Sequence, residues 1–358
     1  MMHAVRYHGA GKLSLDLIPI PKAAAGGVVV EVKAAALCHT DLQIVDGTLD
    51  LGGVKPMTLG HGAAGVIVEV GEGVDPKRIG ERVFVYYYVG CGACRWCGTG
   101  DLQLCGSKVA QFGFISDGAL AKYLAAPARN AVRLPSEALS FEAAAPMGCG
   151  VMTAVHAVKR AGGLKSGESV VVYGCNGLGQ GLVQLAKHYG CFVIAVARQQ
   201  GHRDKALALG ADVAIDGTDA STVAAAVRAN TGGDGADVVF ECVGSRETLD
   251  ACVGWAGALG KRGRLVLLGY RASDAHELRA HPIPIVVYEQ CVVGSAGATM
   301  QDLEEALSLV ENGFVSTVVD STIHLADFQR LGLDKLRNSE CTGKIVVNNF
   351  DVVPVVPI

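Results

Sequence analysis

The chain has 358 residues, half of them hydrophobic and 18% charged, with 31 Lys and Arg set against 35 Asp and Glu. That length suffices for about two domains with sizeable cores, and a net charge of -4 offers no basic footprint for nucleic acid or an anionic membrane. No run reaches the roughly eighteen apolar residues of a membrane span, and Met1-Met2-His3-Ala4-Val5-Arg6-Tyr7 lacks the basic-then-apolar order of a secretory signal. The expected location is the cytoplasm, and the expected partners are small molecules and further copies of the chain.

Residues 1 to about 36 alternate short strand-like runs, Leu13-Ser14-Leu15-Asp16-Leu17 and Val28-Val29-Val30-Glu31-Val32, with Pro and Gly turns. They predict an all-β start. Ala36-Leu37-Cys38-His39-Thr40-Asp41-Leu42 then sets a thiol, an imidazole, a hydroxyl and a carboxylate in sequence. Alone, Cys38 reads as a small buried hydrophobe. The reading changes with His61, which stands in a glycine turn at the head of the β run Gly62–Gly71, and with Cys149 in Pro146-Met147-Gly148-Cys149-Gly150. Cys38, His61 and Cys149 make three protein ligands with a fourth position left to water or substrate, the makeup of a catalytic zinc site.

Between them lie Tyr86-Tyr87-Tyr88, whose rings suit either a core or a pocket wall, and then Cys91, Cys94, Cys97 and Cys105, spaced C-x2-C-x2-C-x7-C. Four thiolates close a tetrahedral shell, so a zinc there would hold a lobe in shape and carry no chemistry. An iron–sulfur cluster and a pair of disulfides are the competing readings, the second disfavoured in a reducing compartment.

Downstream the pattern changes. Ser169-Val170-Val171-Val172-Tyr173 breaks into Gly174-Cys175-Asn176-Gly177-Leu178-Gly179 and then an apolar-periodic stretch through Leu182, Val183, Leu185 and Ala186. This reads as strand, phosphate turn and helix: Gly174, Gly177 and Gly179 let the backbone close on a pyrophosphate held at the helix N-terminus, with Leu178 between them. Asn176 replaces the usual middle glycine, and Asn tolerates φ > 0. Apolar runs at Cys191–Val196, Asp237–Gly244 and Arg264–Gly269, each after a helix-like stretch, predict an α/β, doubly wound parallel sheet that binds a dinucleotide at its carboxyl edge.

Taken end to end, the chain resembles the zinc-dependent alcohol dehydrogenases of the medium-chain dehydrogenase/reductase superfamily. The resemblance rests on Cys38-His39-Thr40-Asp41, Gly60-His61 with Gly65, Gly71 and Val74, the four-cysteine lobe, Pro146 to Cys149, and the turn at 174 to 179. It implies a GroES-like β-barrel catalytic domain of residues 1–150 and 296–358, with the zinc lobe at about 90–106, and a Rossmann domain of residues 151–295 inserted in it. It also implies an active site in the cleft between the two. Cys38, His61 and Cys149 would hold the catalytic zinc, and Cys91, Cys94, Cys97 and Cys105 the structural one, about two zinc per chain. Asp41 would orient His61, and Thr40 would accept the substrate hydroxyl proton. Thr153, Leu268 and Ser295 would approach the nicotinamide. The activity implied is hydride transfer between a nicotinamide cofactor and an alcohol, aldehyde or ketone, in a homotetramer or otherwise a homodimer. Reduction of a C=C bond conjugated to a carbonyl is the alternative, and cofactor binding without catalysis a third.

Three positions depart from the family pattern. Gly62 stands where relatives have Glu; loss of that carboxylate is expected to leave the zinc more strongly polarising. Gln43 replaces the His that ends the proton relay, and Gln takes no proton at working pH; His39 is the nearest alternative and reads better as a substrate-side or structural residue. After the second Rossmann strand, Ala197-Arg198-Gln199-Gln200-Gly201-His202-Arg203 lacks the acid that binds a ribose 2′-OH. Arg198, with Arg203 beside it, can meet a 2′-phosphate, which favours NADP(H) over NAD(H); a solvated loop Arg is the alternative.

Overall fold

The computed structural model describes residues 1–271 and 277–352. They form two compact units, one of Met1–Gly148, Thr299–Glu311 and the chain from Thr317 onward, the other of Cys149–Ala298 with Asn312–Ser316.

In the first unit a seven-stranded sheet is built on the strand Gly27–Ala36, which pairs antiparallel with Gly62–Val70, Tyr123–Pro127 and Lys344–Asn349. Val28, Val29, Val30, Ala34 and Ala35 are all buried. A strand covered on both faces reads as a continuous apolar run with little alternation, as the Val-Val-Val and Ala-Ala-Ala triplets of this one do. A smaller sheet sets Met2–Gly9 between Lys12–Ile18 and Met57–Thr58. The chain leaves the central strand through Cys38, whose extended backbone (φ -136°, ψ 157°) caps the short helix α1, His39–Val45. The cap is reciprocal: the Asp41 carboxylate reaches back to the Cys38 N–H at 2.8 Å, satisfying a donor that the helix cannot.

The second unit carries six parallel strands: β1 (Ser169–Tyr173), β2 (Phe192–Ala197), β3 (Val213–Asp216), β4 (Ala236–Glu241), β5 (Leu259–Leu267) and β6 (Cys291–Gly294). Their order is β3-β2-β1-β4-β5-β6, so the order in which strands are added reverses between β1 and β4, the switch point at which such folds bind ligands. Val171, Ile194, Val239 and Leu265 form the middle of its core. β1, β2, β4 and β5 follow the apolar runs of the sequence. β3 and β6 were not legible there, being four-residue edge strands in which Ile215 alone is buried. Helix α2, Gly177–His188, follows β1, and helix α3, Arg246–Cys252, follows β4. Among the described residues no helix is long and apolar enough to cross a membrane.

Candidate functional site

Three segments far apart in sequence bring their donors together: one ligand atom each of Cys38, His61 and Cys149 lies within 4.8 Å of the others. Cys38 is the α1 cap, His61 precedes the strand Gly62–Val70, and Cys149 lies in the one-turn helix Met147–Gly150. Asp41 ties the first two. It is fully buried, accepting from the Cys38 N–H through Oδ2 and from the Gly60 N–H at 3.2 Å through Oδ1. Oδ1 also lies 3.5 Å from Nδ1 of His61. A carboxylate on that side favours the proton on Nδ1 and leaves Nε2 as the lone-pair donor. The Thr40 hydroxyl lies 3.7 Å from Sγ of Cys38. His39 is exposed and Gln43 half-buried on the same helix.

Aromatic rings wall this centre. Tyr87 meets the His61 ring edge-on at 5.5 Å between centroids, and Phe114 lies 4.8 Å from it. All three tyrosines are buried in the core, the first of the two roles open to them, and Tyr87 also packs its ring against His61. Phe114 had no signal in the sequence; only the fold carries it across 53 residues to His61.

Gly62 has a structural reason of its own. Its φ lies outside the left-handed region, yet a Cβ there would sit 2.6 Å from the carbonyl oxygen of Ala145 and 3.3 Å from the Cβ of Ala36. Close backbone approach therefore accounts for the glycine, and the electrostatic reading of a lost carboxylate is not needed.

Cys91, Cys94, Cys97 and Cys105 form a second cluster with all four sulfurs within 4.8 Å of one another. Cys94 and Cys97 are 3.6 Å apart, Cys91 and Cys97 3.9 Å. Zinc–sulfur bonds of about 2.3 Å put neighbouring sulfurs of a tetrahedron about 3.8 Å apart, whereas a disulfide needs about 2.05 Å. The thiols are free, and the spacing fits a metal. Backbone N–H groups point at the sulfurs, Gly92 to Cys97 at 3.3 Å and Cys91 to Cys105 at 3.5 Å. Those of Ala93 and Cys94 hold the Cys91 thiol down to about 6, favouring its thiolate, whereas desolvation pushes the Cys97 thiol up to about 11.

In the second unit, Gly174 turns the chain after β1 at φ +97°, and a Cβ on Gly179 would overlap the carbonyl oxygen of Gly174. Both glycines let α2 start hard against the strand. Asn176 differs from expectation: at φ -109° it needs no left-handed tolerance, and its Oδ1 instead caps α2 by accepting from the Gly177 N–H at 2.9 Å. Gly177 and Leu178 open the helix, whose dipole is positive at that end. Thr153 is buried in the helix Met152–Arg160, Leu268 is half-buried directly after β5, and Ser295 is half-buried directly after β6.

Beyond β2, Arg198 is exposed. Arg203 is occupied elsewhere: it donates to the carbonyls of Ala197 and Arg198 at 2.8 and 2.6 Å and to Gln200 at 2.6 Å, and pairs with Asp216 at 3.1 Å. The expectation that it helps read a phosphate gives way to a brace that closes this loop, because three of its N–H donors are already spent and its charge is paired with Asp216.

Comparison with known proteins agrees with this picture. Residues 24–136 match the alcohol dehydrogenase GroES-like domain and residues 177–312 the zinc-binding dehydrogenase domain. An alcohol dehydrogenase of Geobacillus stearothermophilus is 34% identical over 341 residues, 94% of this chain and 96% of its own. An NAD-dependent alcohol dehydrogenase of Sulfurisphaera tokodaii is 33% identical over 356 residues, 97% and 99% of the two chains. The crystal structure of the alcohol dehydrogenase from Aeropyrum pernix superposes with a TM-score of 0.88 at 31% identity, covering 97% of this chain and 100% of that one. With a GroES-like unit, a doubly wound sheet and relatives matching over nearly the full length, the chain belongs to the zinc-dependent alcohol dehydrogenases of the medium-chain dehydrogenase/reductase superfamily, oxidoreductases that pass hydride between a nicotinamide cofactor and an alcohol/carbonyl pair.

Proposed function

We propose that Cys38, His61 and Cys149 hold the catalytic zinc with one position open to substrate, and that the four-cysteine lobe holds a second, structural zinc. The observation that carries this is the convergence of two thiols and an imidazole from three distant segments to within 4.8 Å. When bound, zinc supplies Lewis acidity to the substrate oxygen and the nicotinamide supplies or accepts hydride. The chain's own residues do the rest. Asp41 fixes the ligand-bearing turns, Thr40 takes the substrate hydroxyl proton, and Gln43, unable to carry it onward, leaves its departure to water. Tyr87 and Phe114 keep the centre dry on the His61 side, which suits an alcohol, aldehyde or ketone with an apolar body.

In this reading the dinucleotide lies along the carboxyl edge of β1–β6, its pyrophosphate at Gly174–Gly179. Arg198, with no acid at 197, meets a 2′-phosphate, which favours NADP(H). The S. tokodaii relative is named NAD-dependent, which weighs against this preference, and titrating both cofactors decides between them. Ile283, Val286 and Val287 stand exposed on the helix Pro282–Val287, just before edge strand β6. That apolar row supports self-association, as homotetramer or homodimer. Twelve cysteines with no disulfide among them suit the reducing cytoplasm.

The experiment is a metal analysis of unchelated protein coupled to alcohol-dependent reduction of NADP+ and NAD+ followed by absorbance. We expect two zinc per chain in the unmutated protein. Cys38→Ser is expected to retain one and to abolish turnover. One zinc in the unmutated protein, left unchanged by Cys38→Ser, would rule out the three-ligand site.

A further inference from the structure

Glu241 closes β4, the strand beside β1, and is fully buried. A buried carboxylate is costly unless hydrogen-bonded, and this one takes three donors on Oε1 and shares one of them with Oε2. Its Oε1 accepts from the Val243 N–H at 2.9 Å and from the Thr248 hydroxyl at 2.8 Å. The Gly244 N–H lies 3.0 Å from each carboxylate oxygen. Its backbone carbonyl takes two further donors, the N–H groups of Leu268 and Gly269, both at 2.9 Å.

One residue thus anchors two loops at the carboxyl edge of the sheet: 242–245 after β4 through its side chain, and 268–270 after β5 through its main chain. The loops also lock on each other. Gly244 stands at φ +71°, and a Cβ on it would overlap the Tyr270 N, while one on Gly269 would overlap the N of Gly244 and of Val243. Main chain crosses main chain with no room for a side chain.

We infer that Glu241 is a positioning residue for the nicotinamide half of the cofactor, holding the 242–245 and 268–270 loops as one ledge through its carboxylate and its carbonyl. The inference rests on the reading that the dinucleotide lies along this edge. In a doubly wound sheet the two mononucleotide halves of the fold take the two halves of the cofactor. The turn after β1 and the end of β2 serve the pyrophosphate and the adenosine. The ledge after β4 and β5 lies on the other side of the switch point, where the nicotinamide mononucleotide must go.

The test is Glu241→Gln, which keeps the size and one acceptor but removes the charge and sets an amide N–H2 in place of the second oxygen shared by the Gly244 N–H. Reduced nicotinamide dinucleotide and ADP-ribose, each also as the 2′-phosphate form, are titrated against the zinc-loaded enzyme by fluorescence and calorimetry. The expected result is a split: the reduced cofactor binds about tenfold more weakly, while ADP-ribose, which lacks the nicotinamide, changes less than twofold. Thr248→Val removes the hydroxyl donor alone and should show the same split at about threefold; it decides the matter should Glu241→Gln not fold. Equal weakening of both ligands would mean a general loosening of the unit, and no weakening of either would mean that the ledge stands without the carboxylate. Either result overturns the inference. Failure of the unmutated chain to bind any nicotinamide dinucleotide would instead sink the reading beneath it, and the inference with it.

Discussion

Gly62, Asp41 and Arg198 each turn on a single group. A methyl at Gly62 lands 2.6 Å from the Ala145 carbonyl oxygen, so Gly62→Ala should lose roughly 1–3 kcal/mol of stability, the usual cost of overpacking. Denaturant unfolding reads this directly; a variant as stable as the parent would return the position to an electrostatic explanation. Asp41→Asn keeps one carbonyl acceptor for the Cys38 and Gly60 N–H groups but offers an amide N–H2 to the other, and it removes the charge facing His61. Zinc at the three-ligand site should be held about 10–100-fold less tightly, the range for an outer partner of a ligand. Chelator competition measures it, and undiminished affinity would free Asp41 of this role. Arg198→Ala should weaken NADP(H) binding by roughly 1.5–3 kcal/mol, as for a charge-assisted hydrogen bond, and leave NAD(H) nearly untouched. Equal losses for the two cofactors would make Arg198 a shaping residue of the loop.

The four-cysteine lobe is a small element with little apolar support, since Arg95–Gly98 contains no buried residue. A closed thiolate shell then has to supply the folding free energy that packing does not. Cys94→Ser is expected to lower the melting temperature and to leave one zinc per chain, with turnover per folded molecule largely kept. Lost turnover at unchanged stability would overturn that division of labour. The carboxyl edge of the parallel sheet works differently, because its turns are held by close backbone contact, Gly174 against Gly179 and Gly244 against Gly269, together with the hydrogen bonds of Glu241. It should keep its shape without any ligand.

For the molecule as a whole, mild chelation is predicted to act in two stages. With the zinc sites as proposed, the three-ligand one would have an open position and should empty first, with activity lost and the fold retained; the four-thiolate one should empty later, with unfolding. Metal content, activity and circular dichroism followed on one sample check the order. Loss of fold and activity in a single step would contradict it.

Local patterns in the chain determined much by themselves. Cys91, Cys94, Cys97 and Cys105 are close in sequence, and a tetrahedral shell demands little more than that spacing. The strand, turn and helix at 169–188 were legible because glycines and an apolar period are set by neighbouring residues alone. The buried strands β1, β2, β4 and β5 show as apolar runs, whereas β3 and β6, short and at the edges, do not. Tertiary structure decided the rest, because it depends on atoms brought together from distant segments. Phe114 reaches His61, the Ala145 carbonyl excludes any side chain at 62, Asn176 is a helix cap with ordinary φ, and Arg203 is consumed by its own loop. Glu241 lies inside the run Asp237–Gly244 with nothing beside it in sequence to single it out, and only the meeting of two loops above it shows what its carboxylate holds. Sequence spacing fixes which groups a segment can offer; how far apart they finally stand, and what each has left to donate, is settled by packing.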